Sequence, residues 1–325
     1  MKREENFVKT VRLALLAAAL CVGAMQSALA QSFPSKIVHF VVPYSPGTSP
    51  DIVARILAEE MAKTLGQPII VENRGGADGA IGMEYVLHQP ADGYTVLSTI
   101  TSNLAILPLT VKDLRFDPLK DLPPVIGAVE GRYVFLSPAA APWTSFDELI
   151  AYAKAHPDKL NAGSPTPQVR LSNQELFRGL GVSITDIPYS SGGPYGTALL
   201  ANEVQMGFIS TSSAIAFGSR VRILAVTGET RRPPFTNVPT LKELGRPDLP
   251  GLSFTLNVAT GTPAPIVAAL HDAAAKALAL PALRKRFEDQ GFDVTAESAE
   301  AAAHRLADQY RFFSDAAKRA GIKPE

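Results

Sequence analysis

Three short stretches carry groups suited to binding chemistry. The first is Tyr44-Ser45-Pro46-Gly47-Thr48-Ser49-Pro50-Asp51. It offers a phenol, hydroxyls on Thr48 and Ser49, and a carboxylate, with few bulky side chains to block approach. In the second, Asn73-Arg74-Gly75-Gly76-Ala77-Asp78-Gly79-Ala80-Ile81-Gly82, the amides of Gly79 and Ala80 open a helix. The third, Thr101-Ser102-Asn103, adds two hydroxyls and a side-chain amide. Unpaired N–H groups at a helix start point outward and favour an anion. Ser49 is expected as N-cap, with Pro50 at the first helical position. Asp51, acceptor-only when ionised, suits the first helical turn through the dipole. Arg74 is expected to be structural.

Other chemistries lack their signatures. The histidines are His39, His88, His156, His271 and His304, and none falls in a metal-binding spacing such as His-Glu-x-x-His. Gly-x-Ser-x-Gly is absent, so there is no nucleophile elbow. Gly76-x-x-Gly79-x-x-Gly82 lacks the opening Gly-x-Gly step of a dinucleotide fingerprint. No catalytic residue, metal or cofactor is expected, and the chain does not read as an enzyme. Lys+Arg and Asp+Glu are both 31, so no strong field points to nucleic acid.

These stretches sit where strands hand over to helices. Ile37–Val42 reads as a β-branched strand and Pro50–Leu65 as an amphipathic helix ended by Gly66. Pro68–Glu72 is a strand, Ala80–His88 a helix and Tyr94–Thr99 a strand. This βαβαβ order argues for a parallel sheet with helices on both faces, and ligands then lie outside the carboxyl ends of the strands. Val125–Leu136 reads as one long extended segment that crosses to a second domain. A new series follows: helix Ser145–His156 with a Ser145/Glu148 capping box, strand Lys159–Gly163, helix Gln168–Gly179, strand Ile184–Tyr189, helix Tyr195–Asn202, and strands Gln205–Ser210 and Ile223–Val226. Strand Ser253–Thr260 crosses back, and two long helices, Ala264–Leu280 and Ala296–Ala320, complete the return. The last carries Leu306, Tyr310, Phe313 and Ala317 at helical spacing, a packing stripe. The layout is an α/β, two-lobed trap with two hinge crossings.

The first thirty residues read as an export signal. Lys2, Arg3, Lys9 and Arg12 form a basic start, Leu13–Met25 is too short to span a bilayer, and Ala28-Leu29-Ala30 suits cleavage. Removing those four basic residues with Glu4 and Glu5 leaves a net charge of −2. The single cysteine, Cys21, lies inside the signal behind the non-small Leu20, which favours simple cleavage over a lipid anchor. No later run is long and apolar enough to cross a membrane. The expected divisions are 1–30 as signal peptide, 31–128 as the first part of lobe 1, 129–250 as lobe 2 and 251–325 as the return to lobe 1. The mature chain is expected free in the periplasm as a monomer.

Tyr44-Ser45-Pro46-Gly47 with Asp51-Ile52-Val53-Ala54-Arg55 resembles the first-loop motif of the Bug receptors, the substrate-binding proteins of tripartite tricarboxylate transporters. Glu72-Asn73-Arg74 followed by Gly75, Ala77, Gly79 and Gly82 is similar to their second motif, and Pro90-Ala91-Asp92-Gly93-Tyr94-Thr95 to a third. Glu148–Lys154, Thr185–Tyr189, Ala259–Pro263 and Gly291-Phe292 resemble family segments in the second lobe and the return. The resemblance covers nearly all of the mature chain. It implies a type II periplasmic-binding-protein-like fold and a small carboxylate ligand, with membrane permease subunits as partners. Dicarboxylates, tricarboxylates, aromatic acids and amino acids all fit. A periplasmic sensor that presents a liganded surface to a signalling partner is the alternative.

The resemblance further implies ligand contacts from Tyr44, Thr48 and Ser49, from Ser164 and Thr166, and from the rim Tyr189-Ser190-Ser191-Gly192. Three departures stand out. Thr48 follows Gly47 where the family has paired glycines. Ser164-Pro165-Thr166-Pro167-Gln168-Val169-Arg170-Leu171 replaces Ser-x-Gly-x-Gly and a later His, so Arg170 stands where the His would be. Ser190-Ser191 replaces Lys-Gly after Tyr189. A guanidinium at Arg170 can grip a carboxylate through two parallel bonds.

Overall fold

The computed structural model describes residues 33–247, 249–322 and 324; the expected export signal lies outside the described residues. Its largest layer is a six-stranded sheet ordered β11-β4-β10-β3-β1-β2. Strand β1 (Val38–Val42) pairs in parallel with β2 (Ile69–Asn73) and β3 (Thr95–Ile100). Phe40, Val41 and Val42 are fully buried, the near-continuous apolar run of a strand covered on both faces. The helix Ser49–Leu65 follows β1 and packs Val53, Ala54, Leu57 and Met61 inward. Gly66 stops it at φ +69, a left-handed position that glycine takes without a Cβ penalty, and its N–H caps Ala62 O at 2.9 Å.

The sheet is mixed rather than wholly parallel. Strands β4 (Pro124–Gly131), β10 (Leu252–Asn257) and β11 (Phe292–Glu297) are joined to it and to one another by antiparallel pairing. The reason is topological: the chain leaves along β4 and returns along β10, so the returning strand runs backwards. The expected single segment Val125–Leu136 is two strands in different layers, with Arg132 alone between β4 and β5 (Tyr133–Pro138). β5 lies between β8 (Gly207–Ser210) and β9 (Val221–Val226), antiparallel to both. A parallel pair, β6 (Asn161–Ser164) with β7 (Thr185–Pro188), joins them through the bridge Ala162 to Met206. Two layers linked by two crossings therefore make up the α/β, two-lobed binding-protein fold of type II.

Several local expectations change. The last helix spans Ala299–Ala320, because Ser298 Oγ accepts from Ala301 N and caps it there, while Ala296 and Glu297 belong to β11. Its stripe packs as expected: Leu306, Phe313 and Ala317 are buried, beside the half-buried Tyr310. Helices Thr101–Thr110, Thr211–Phe217 and Pro281–Asp289 were not anticipated. Pro108 inside the first obscured its helical pattern, and the second is only seven residues long and opens on Thr-Ser-Ser. Ser145 caps helix Phe146–Ala155 as expected, and the Glu148 carboxylate reaches back over the helix start, accepting from Thr144 N and Oγ1 with the Ser145 amide beside it. Among the described residues no single helix is long and apolar enough to cross a membrane. The helix Ala264–Ala279 passes such a test only together with Pro281–Asp289, across a 77° bend. Its Leu270, Ala273, Ala274, Ala277 and Leu278 are buried in the core.

Candidate functional site

The carboxyl ends of β1, β2 and β3 deliver the three small-residue stretches to one edge of the large sheet. Facing them from the second layer are the starts of helices Pro167–Leu180 and Thr211–Phe217. Helix Ser49–Leu65 begins one residue earlier than expected, with Thr48 as its N-cap. Neither residue caps through its side chain: Thr48 Oγ1 donates to Ser45 O at 2.7 Å. Ser49 instead crosses the gap, donating to Ser210 Oγ at 3.0 Å and lying 2.7 Å from Ser212 Oγ. Asp51 is 4% exposed and structural. It accepts from Gly47 N, Asn73 Nδ2 and Arg55, tying the first loop to the second. Burial pushes its pKa up, but those hydrogen bonds outweigh burial and leave the carboxyl below its ordinary value.

The second loop is also tied internally. Gly79 N donates to Gly76 O at 2.9 Å and Ala80 N to Ala77 O, so the two amides expected to be free are engaged in a 3-10 turn. Gly79 itself sits at φ +94 against the Asn103 amide, which donates to Asp78 O at 2.7 Å. Asp78 holds φ +52, and its own carboxyl is raised by desolvation. Thr101 Oγ1 donates to Ser253 O at 3.1 Å, so that hydroxyl braces β10 instead of facing a ligand. Ser102, fully buried, donates across the gap to Gln168 Oε1.

Tyr44 lies at the floor between these loops. The residue is half-buried, but its hydroxyl is fully enclosed, and its neighbour there is the equally enclosed Thr99 hydroxyl. Burial drives the Tyr44 hydroxyl well above the usual phenol range; the neighbouring Thr99 opposes this, and Tyr133 and Asp78 add to it. Tyr133, also raised by burial, donates to Gln168 Oε1 at 3.1 Å.

In the second layer Thr166 caps helix Pro167–Leu180 by accepting from Val169 N at 3.3 Å. Ser164 donates to Asp186 Oδ1 at 2.5 Å, and Asn173 Nδ2 reaches the same oxygen at 2.8 Å. Arg170 is half exposed, its Nε 3.8 Å from Asp186 Oδ2. The carboxylate beside this guanidinium is thus the protein's own. Desolvation raises Asp186, opposed by Ser164, Asn173 and Arg170. Tyr189 N donates to Ser164 O at 2.9 Å, and its ring leans on Tyr195 at 5.9 Å. Ser190 is exposed; Ser191 precedes helix Gly192–Leu200 without capping it through its side chain, and Gly192 is its first residue.

Sequence reading missed Thr99, Tyr133, Gln168, Asp186 and the Ser210/Ser212 pair. Only Thr99 had a local signal, a hydroxyl near the carboxyl end of an apolar strand. Among the described residues no group of three or more His, Cys, Asp or Glu is placed to hold a metal.

A cleft of hydroxyls and helix starts between two layers joined by two crossings defines a solute-binding receptor. Over residues 53–321 the chain matches the tripartite tricarboxylate transporter family receptor, TctC, and it belongs to that family of periplasmic binding proteins, the Bug receptors. A protein in the gbd 5′ region of Cupriavidus necator is 36% identical over 288 residues, 87% of each chain. BugT of Bordetella pertussis is 30% identical over 303 residues, 90% of this chain and 92% of its own. Among solved structures, Rpa4515 of R. palustris with adipate superposes at a TM-score of 0.85, with 28% identity over 90% of this chain and all of that one. MatC of Rhodopseudomonas palustris with bound malate gives 0.79, with 31% identity over 87% of this chain and 99% of its own.

Proposed function

We propose that this receptor captures a small organic acid between its layers, closes on it by hinge motion and hands it to membrane permease subunits. The signal peptide is cleaved after Ala30, and lobe 1 (31–128 and 251–325) and lobe 2 (129–250) close as units on a monomer. It acts as a carrier and performs no catalysis. One observation carries the reading: the enclosed hydroxyls of Tyr44 and Thr99 have only each other at the floor between the two layers. Two hydroxyls that share one bond leave a donor and lone pairs unused, and a buried polar group without a partner costs roughly 1–3 kcal/mol, so this floor favours a polar guest. The adipate and malate held by relatives support a carboxylate as that guest.

The contacts put forward for the acid are Tyr44, Thr48, Ser49, Asn103, Thr166 and the rim Tyr189–Gly192. The Tyr44 and Ser190 hydroxyls and the second N–H of Asn103 offer donors without a large opposing charge, while Thr48 and Ser49 already donate to Ser45 O and Ser210 Oγ and must exchange those bonds to serve a ligand. Arg170 balances Asp186 at the second-layer wall.

A melting screen on ligand-stripped protein tests this directly. Dicarboxylates, tricarboxylates, aromatic acids and amino acids are compared. A ligand at one hundred times its Kd stabilises the folded state by about 2.7 kcal/mol. For a chain of this size that raises Tm by roughly 5–11 °C. A flat Tm across every class overturns the proposal.

A further inference from the structure

Gln168 stands where the layers and both crossings meet. It is 3% exposed, on the first turn of helix Pro167–Leu180. Its Oε1 accepts from Ser102 Oγ in the first layer and from Tyr133 Oη, at 3.1 Å, on the residue that opens β5 after the first crossing. Its Nε2 donates to Pro250 O at 3.1 Å and Gly251 O at 3.5 Å, on the second crossing just before β10. An amide has one carbonyl with two lone pairs and two N–H donors, so this side chain is fully engaged by protein.

We propose that Gln168 is a positioning residue that couples the cleft to the hinge, holding the layers in the closed arrangement before any ligand arrives. The proposal rests on the two-lobed receptor reading above. Tyr133, Pro250 and Gly251 lie at the pivot, so their bonds to Gln168 persist through a rotation about the crossings. Ser102 lies across the gap on helix Thr101–Thr110, so opening stretches its bond first. The Ser49 bonds to Ser210 and Ser212 and the Arg319–Glu175 pair also join the layers, but neither binds both crossings as Gln168 does; apolar packing of Leu171 among Leu306 and Phe313 spans them too, but it is non-directional and tolerates sliding. A buried hydrogen bond does not, because breaking it strands a carbonyl away from water.

The geometry has a consequence for Ser102. Its hydroxyl has one proton, and that proton goes to Gln168. Ser102 therefore cannot donate to a ligand carboxylate while the latch is made. It serves closure, and the anion draws its donors from elsewhere.

Residues 31–325 contain no cysteine, so labels can be placed at will. Lys63 and Lys159 are exposed, one on the first helix and one before β6. Spin labels on Lys63→Cys and Lys159→Cys report the distance between layers by pulsed electron resonance, on protein stripped of ligand. The unaltered Gln168 background is expected to give one narrow distance. Gln168→Leu and Ser102→Ala are both expected to broaden it and shift it to a second, open value. Tyr133→Phe, which leaves the cross-gap bond in place, is expected to match the parent. A merely structural role for the amide would not separate Ser102 from Tyr133 in this way. Unchanged distances in both Gln168→Leu and Ser102→Ala overturn the proposal, as does a parent that is already as open as they are. Should Gln168→Leu fail to fold, Ser102→Ala carries the test alone. No ligand is needed, so failure of every acid to bind would sink the functional reading and leave this measurement intact.

Discussion

Replacing Gly79 with Ala tests whether the second loop is fixed by backbone strain or by contact. The position lies at φ +94, where an L side chain costs about 1–2 kcal/mol. A methyl there also overlaps the Asn103 amide and comes within 3.3 Å of Pro43 Cβ. Asn103 is the flexible partner, so it is the side chain that yields. Yielding breaks its 2.7 Å bond to Asp78 O, which costs about 1 kcal/mol more. Gly66→Ala supplies the control. It has a similar left-handed backbone, φ +69, but nothing within 4 Å of the added carbon. Gly79→Ala should therefore lose about 2–3 kcal/mol and Gly66→Ala only the strain of about 1–2. At roughly 2–4 °C per kcal/mol the first variant should melt about 2–4 °C below the second. Chemical or thermal denaturation of both proteins, side by side, reads the difference. Equal losses would refute the contact argument and leave strain alone as the role of Gly79. Ligand affinity should fall for Gly79→Ala and hold for Gly66→Ala, which lies at the far end of its helix.

Two further predictions follow from the charged groups. Asp51 titrates below its ordinary value of 3.8 in the folded protein, because its hydrogen bonds outweigh burial. Its contribution is fully present above the unfolded pKa and is lost as pH falls through the lower folded one. Melting temperature should therefore drop more steeply from about pH 5 to about pH 3 in the parent than in Asp51→Asn; parallel curves would contradict this. Arg170→Ala should change stability by no more than about 0.5 kcal/mol, because the pair with Asp186 is long and its guanidinium is half exposed. Calorimetric titration with the best acid should show Kd within about threefold of the parent, since a lost charge-assisted bond of roughly 1.5–3 kcal/mol would raise it more than tenfold. The larger change would return Arg170 to the ligand.

Much of the fold was legible because its signals are local. The β-branched run before Tyr44, the stop at Gly66 and the cap at Ser145 act over one to four residues, and each formed where the pattern placed it. The stripe Leu306, Tyr310, Phe313 and Ala317 likewise follows from helical spacing alone. Helix Thr101–Thr110 was hidden because Pro108 breaks the propensity pattern, although packing against the last helix and helix Pro167–Leu180 holds it. β11 was hidden because only pairing with β4 makes it a strand.

The sequence by itself thus determined the elements and the small-residue loops that gather at one sheet edge. Tertiary structure decided what those loops face. Ser49 has the composition of a cap, yet its hydroxyl reaches Ser210, 161 residues away. Gln168 has no motif of its own and meets Ser102 across 66 residues. Arg170 is a free cation in the sequence and a neighbour of Asp186 in the fold. Such pairings depend on which strands return beside which, a property of the whole sheet order that no window of neighbouring residues encodes.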